Sequence, residues 1–236
     1  ILNKINLLSF NIMIENFKNS SEYVQNLFKI ENEVIKIVEK ESLDDNVPII
    51  TREVLNYMIF EAKRIKAKNI LEIGTATGFS GFFLGSIANE NGGMLTTIEI
   101  DEKRYEKAVE NFKKAKIFDK NNLILGNALE EIPKLNVENK YDFIFIDASK
   151  GQYKNFFEMS YKHLSDNGTI FIDNIMFRGI VAEKEENIPK RYKTIVKRLK
   201  EFIVELNEKY NFILLPFGDG VGIVRKQLIW DFFYII

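Results

Sequence analysis

The sequence predicts a doubly wound α/β domain whose sheet is parallel except for its last strand. Two observations carry this. From Asn69 onward, short apolar runs ("NILEIG", "MLTTIEI", "NLIL", "YDFIFID", "GTIFID") alternate with helical stretches such as "EKRYEKAVENFKKAK" and "YKNFFEMSYKHL", the pattern of β-α-β units. Near the C-terminus, "FILLPF" and "VGIVRK" are separated only by "GDG". A connection that short joins antiparallel neighbours, so the final strand reverses the sheet.

The stretch before the first strand is helical. Between Ser21 and about Lys40, the residues Tyr23, Val24, Leu27, Phe28, Val34, Ile35 and Val38 recur at three- and four-residue steps, as in one or two amphipathic helices. Thr51 is a candidate N-cap for "REVLNYMIFEAKRIKA", with Val54, Leu55, Met58, Ile59 and Ala62 as its inner face. A basic helical segment from about Lys190 to Tyr210 precedes the hairpin. The chain of 236 residues, 46% hydrophobic, suffices for one well-buried core, and no repeat or low-complexity linker divides it. The opening stretch "ILNKINLLSFNIMIENF" is broken by Asn3, Lys4, Asn6, Asn11 and Glu15 and lacks a signal-peptide cleavage site. The terminal "LIWDFFYII" carries Asp231 and is about half the length of a membrane span. Both are expected to belong to a cytoplasmic protein with no membrane partner.

Composition narrows the chemistry. With 33 basic and 34 acidic residues the net charge is -1, which excludes a strongly basic protein but leaves room for a local basic patch. The chain has no Cys, so disulfides, thiol nucleophiles and thiolate metal sites are excluded, in keeping with a reducing compartment. The single His, His163, leaves no material for a multi-histidine zinc centre or a serine triad. Its place at a helix end reads as a dipole partner or a surface residue.

In a parallel sheet of this kind, ligands bind beyond the carboxyl ends of the strands. The first strand ends in "LEIGTATGFS", with Gly74 and Gly78 in the turn and Ser80 opening a helix; glycines there let a ligand approach the backbone. The dinucleotide fingerprint would need Gly where Ala76 and Phe79 stand. The second strand places Glu99 at its end, where an acid can hold both ribose hydroxyls of a nucleoside, while Asp101 reads as the next helix's N-cap. The third closes in Gly126, Asn127 and Ala128, small and polar atoms suited to lie beside a base. The fourth ends in Asp147, with Lys150 three residues on, and the fifth in Asp173 and Asn174. Each acid alone is an ordinary strand terminator. Together, on adjacent strands about 4.8 Å apart, two carboxylates and an amide oxygen form a hard donor set matching Mg²⁺.

These residues resemble those of the metal-dependent class I S-adenosylmethionine O-methyltransferases, the group of catechol and caffeoyl-CoA O-methyltransferases. The resemblance spans about Val47 to Lys226 and rests on "LEIGTATGFS", "TTIEID", "FIFIDASKGQY" and "IDNIMFRGIV" in that order. "KGQYKNFFE" and "DNIMFRG" are most similar to the bacterial tRNA 5-hydroxyuridine methyltransferases, where catechol enzymes usually carry Trp at the position of Phe177. The resemblance implies a Rossmann-like fold with a mostly parallel seven-stranded sheet, divided as a helical extension (1–46), a methyltransferase domain (47–226) and an apolar tail (227–236). It implies that Ile50, Glu72, Gly74, Ser80, Glu99, Ala128 and Asp147 hold S-adenosylmethionine. Asp147, Asp173 and Asn174 would bind Mg²⁺, and Lys150 would act with Asp147 in catalysis as the general base. The family often has Asp where Asn127 stands. Members are often dimers, so a homodimer is expected.

For the acceptor, Arg178 directly after the metal pair and the run "PKRYKTIVKRLK", with Lys190 and Arg191, are candidate tRNA contacts. A solvated helix face explains the run equally simply. The expectation is methylation of wobble 5-hydroxyuridine to 5-methoxyuridine, with a small catechol or phenol acceptor as the alternative. A nicotinamide-dependent dehydrogenase is disfavoured by the missing third glycine and the second Asp, and a non-catalytic nucleoside-binding module is the remaining rival.

Overall fold

The computed structural model describes residues 19–226. Helix α1 occupies residues 19–27 of this span, followed by α2 (Glu33–Asp44) and α3 (Arg52–Arg64). Then come β1 (Asn69–Ile73), α4 (Phe79–Glu90), β2 (Met94–Glu99), α5 (Glu102–Lys114), β3 (Asn122–Leu125), α6 (Ala128–Glu131), β4 (Tyr141–Ile146), α7 (Tyr153–Tyr161) and β5 (Leu164–Ile172). The chain closes with α8 (Lys193–Lys209), β6 (Asn211–Leu215) and β7 (Val221–Arg225). The sheet has seven strands in the order β3-β2-β1-β4-β5-β7-β6. β1 to β5 pair in parallel, and β7 runs antiparallel to both β5 and β6. Among the described residues no helix is long and apolar enough to cross a membrane. The expectations for the opening stretch up to residue 18 and for the tail from 227 lie outside the described residues.

The central strands are apolar on both faces, as a covered parallel sheet requires. In β4 the side chains alternate: Phe143 and Phe145 enter the core beneath α3 and α4, while Ile144 and Ile146 enter the core beneath α7 and α8. Phe171 of β5 joins the first core, Ile170 and Ile172 the second. Each such side chain contributes roughly 1.5–3 kcal/mol through burial. The helical stretch before residue 47 is not set apart from this body. Ile35 and Val38 of α2 are buried in the first core, and Ser42 shares a 2.7 Å hydrogen bond with Thr77 in the β1–α4 turn. Thr51 stands at the N-cap of α3 without a side-chain capping bond, whereas Asp101 caps α5 by accepting the Arg104 N–H at 3.0 Å.

His163 departs from its expected surface place. It is buried just ahead of β5, its ring edge-on to Tyr141 at 6.5 Å. Burial, and secondarily Lys140 and Lys162, lower its pKa. Its position between α7 and an internal strand overrides the exposure expected of a helix end.

Candidate active site

The carboxyl ends of β1, β2, β3 and β4 open onto one cavity of about 500 Å³. Its floor is the β1–α4 turn. Gly74 has φ +101°, and a Cβ there would lie 2.0 Å from the Asp147 carbonyl oxygen; at Gly78, with φ +90°, a Cβ would meet Phe112 at 2.8 Å. Both glycines are therefore required by the turn and by neighbouring protein atoms. Between them Ala76 also adopts a left-handed φ of 47°, at a cost of about 1–2 kcal/mol. The Glu99 carboxylate secures it, accepting the Ala76 N–H at 2.7 Å and the Asp101 N–H at 2.9 Å. Those bonds leave further lone pairs for a ligand's hydroxyls. Asn127 is also committed: it caps α6 by accepting the Leu129 N–H at 3.0 Å. An Asn side chain serves that capping bond as well as Asp does.

The tips of β4 and β5 form an acidic centre. Ile146 pairs with Ile172 in register, so Asp147 and Asp173 follow at the same level, with the Asp173 N–H donating to the Ile146 carbonyl at 3.1 Å. The Asn174 N–H donates to Asp173 Oδ1 at 2.7 Å, and its side-chain amide reaches Asp147 Oδ1 at 3.4 Å. Burial first and the neighbouring Asp147 second push the Asp173 carboxyl well above its ordinary range. Burial likewise raises Asp147, against the pull of Lys150. Beneath the centre, Tyr153 donates its hydroxyl to the Asp173 carbonyl at 2.9 Å. Among the described residues no three His, Cys, Asp or Glu side chains converge into a metal-holding group, so a cation here would depend on two carboxylates and the Asn174 amide oxygen. That set fits a hard divalent ion, whose charge would offset the burial that raises both acids and the repulsion of Asp147 that adds to it at Asp173.

Residues 20–227 match the family model described as O-methyltransferase. The chain belongs to the O-methyltransferase family. It is 32% identical over 170 residues to tapetum-specific methyltransferase 1 of Arabidopsis thaliana, covering 70% of this chain and 72% of that one. It is 30% identical over 173 residues to caffeoyl-CoA O-methyltransferase 1 of Eucalyptus globulus, covering 70% and 69%. The solved structure of the Podospora anserina methyltransferase PaMTH1 with bound S-adenosylhomocysteine superposes with a TM-score of 0.80 at 25% identity, over 91% of this chain and 96% of that one. The present protein is accordingly an S-adenosylmethionine-dependent O-methyltransferase.

In this O-methyltransferase, Ile50, Gly74, Ser80, Glu99 and Ala128 all face the cavity, as do Asp147, Lys150 and Asn174. Glu72 does not. It is fully buried beneath α4, where its two oxygens accept from Ser80 and Thr97, each at 2.6 Å, and burial raises its carboxyl to about 7. Asp173 lies behind the wall, and Arg178, Lys190 and Arg191 are exposed outside it. Sequence reasoning passed over Ile100, which borders the cavity while 69% exposed, an apolar surface in the position of a ligand contact. It also passed over Asp219. Lying within the "GDG" read only as a hairpin connection, Asp219 interacts electrostatically with Asp147, Asp173 and Lys150.

Proposed function

We propose that this enzyme methylates one hydroxyl of a small vicinal diol of the catechol or caffeoyl type, using a divalent cation, most simply Mg²⁺, held by Asp147, Asp173 and Asn174. The observation that carries the reading is the in-register meeting of Asp147 and Asp173 beside the cavity, with Lys150 three residues further on. The name of the Eucalyptus relative supports a caffeoyl-type acceptor, which moves the small-molecule reading ahead of the tRNA one.

When bound, S-adenosylmethionine supplies an electrophilic methyl group and the cation a Lewis acid that lowers the pKa of a chelated hydroxyl. Ile50, Gly74, Ser80, Glu99 and Ala128 would hold the nucleoside end, with the spare lone pairs of Glu99 toward the ribose hydroxyls. Asp147, Asp173 and Asn174 would hold the cation, and the alignment of the acceptor oxygen with the methyl group that follows can supply a large share of the rate gain. Lys150 Nζ would take the proton released by the hydroxyl, a step that requires the neutral amine and yields the ammonium. Glu72 serves the site indirectly, through the hydroxyl network under the β1–α4 turn.

The test is methyl transfer from S-adenosylmethionine in the presence of Mg²⁺ to a catechol, a caffeoyl thioester and a monophenol. The expected result is monomethyl ether from the two diols and none from the monophenol. Transfer to the monophenol at an equal rate, or to none of the three, overturns the reading. The second reading, tRNA 5-hydroxyuridine, draws on the exposed cations Arg178, Lys190 and Arg191, of which Arg178 follows the Asp173–Asn174 pair closely in the chain. Preferential methylation of unmethylated tRNA in the same assay would put it first.

A further inference from the structure

After Asn174 the chain takes an unusual course. Asn174, Phe177 and Arg178 have φ values of 58°, 48° and 55°, and Gly179 has 74°, so three consecutive residues at 177–179 are left-handed and two of them carry side chains. Non-glycine residues hold that conformation only where surrounding contacts impose it. Here the contacts converge on two residues of the β6–β7 turn, about forty positions away. The Ile175 N–H donates to the Gly220 carbonyl and the Met176 N–H to the Asp219 carbonyl, both at 3.0 Å. The Asp219 carboxylate accepts the Arg178 N–H through Oδ1, with the Gly179 N–H close enough to act on it. Gly220 must be glycine for this approach, since a Cβ would stand 2.3 Å from Met176 Cγ. The turn thus presented sets the Phe177 ring edge-on to Tyr192 at 5.1 Å.

We infer that Asp219 is a positioning residue for acceptor recognition, its carboxylate clamping the left-handed turn at 177–179 that leads away from the Asp147 and Asp173 centre. Two features separate this role from ordinary loop packing. A carboxylate accepting the Arg178 N–H, on a residue whose own carbonyl accepts the Met176 N–H, ties the turn at two points, and charge-assisted bonds of the first kind are about twice as strong as neutral ones. The same side chain also stands close enough to Asp147, Asp173 and Lys150 to interact with each, so the clamp borders the reacting centre. Loosening the clamp should change which acceptor oxygen is presented, while the nucleoside end, built on β1 to β3, stays as it is.

The inference rests on the small-diol reading for its kinetic readout, and the experiment separates the two. Asp219→Ala and Asp219→Asn are compared with wild type for acceptor KM, kcat, the ratio of the two monomethyl isomers from an asymmetric catechol, S-adenosylhomocysteine affinity, and amide exchange across residues 175–180. The Ala variant is expected to raise acceptor KM about tenfold and shift the isomer ratio toward parity, with S-adenosylhomocysteine affinity within twofold. Exchange at Arg178 and Gly179 should quicken. The Asn variant keeps an accepting oxygen, so it should restore most of the exchange protection and part of the isomer ratio. If Ala does not accumulate as folded protein, Asn carries the test with a shift of about threefold. Unchanged KM, isomer ratio and exchange overturn the inference. If wild type methylates no diol, the small-diol reading fails, and the exchange arm still decides whether Asp219 clamps the turn.

Discussion

The two halves of this sheet end differently. At β1 to β3, the side chains at the strand tips have their hydrogen bonds already assigned: Glu99 to two backbone N–H groups, Glu72 to Ser80 and Thr97, Asn127 to the start of α6. At β4 and β5, Asp147 and Asp173 have their carboxyls raised by burial, with Asp219 of the β6–β7 turn acting on both, and the backbone after Asp173 is left-handed at four positions. On the proposed reading, the first half, with its hydrogen bonds already committed, receives the neutral nucleoside. The second stores electrostatic and conformational strain that a divalent cation and a correctly oriented acceptor would relieve, and strain of this kind gathers where chemistry is done.

The comparison breaks most visibly at the acidic centre. Asp173→Ala, or chelation of divalent ions from wild type, is expected to lower kcat/KM by at least about 10³-fold, with the chelated enzyme recovering on addition of Mg²⁺; activity that survives both treatments would remove the cation from the mechanism. Lys150→Met should lower kcat by about 10²-fold and leave S-adenosylhomocysteine affinity unchanged, as steady-state kinetics paired with calorimetry will report. In the other half, Glu72 shows its burial through stability. Its carboxyl sits at about 7 when folded against an ordinary 4.5. Its contribution is complete below the unfolded value and is lost as pH rises through the folded one, roughly 3 kcal/mol in all. Denaturant unfolding between pH 4.5 and 8 should show that loss in wild type and not in Glu72→Gln; parallel curves would mean the carboxyl titrates normally. The smallest effect is expected at Glu99→Gln, which keeps one of the two accepting oxygens and should weaken S-adenosylhomocysteine binding by about tenfold without altering acceptor KM.

Much of this was legible in the sequence because strand ends announce themselves. Apolar runs closing in Asp147, Asp173 or Glu99 fix both the element and the direction of its last side chain, and the "GDG" spacing alone gives the reversed final strand. The burial of Glu72 was not legible, for a physical reason. Alternation puts it on the same face of β1 as Ile70, under α4, but a sequence does not reveal that Gly81 opens the space for it, a Cβ there lying 2.8 Å from its oxygen. Asp219 was illegible because its hydrogen bonds, through carboxylate and carbonyl, go to main-chain N–H groups of Arg178 and Met176 some forty residues earlier, and no side-chain pattern records them. Arg178, Lys190 and Arg191 looked alike as cations, whereas their exposure outside the cavity distinguishes them from Lys150 on its wall.

The division of labour between the halves is tested most directly by titrating Mn²⁺ into wild type and Asp173→Ala, each saturated with S-adenosylhomocysteine, and following free Mn²⁺ by electron paramagnetic resonance. The expected result is one site per chain in wild type, absent in the variant, with S-adenosylhomocysteine affinity equal within twofold in the two proteins. A wild type that takes up no Mn²⁺, or a variant that takes it up as tightly, contradicts the account.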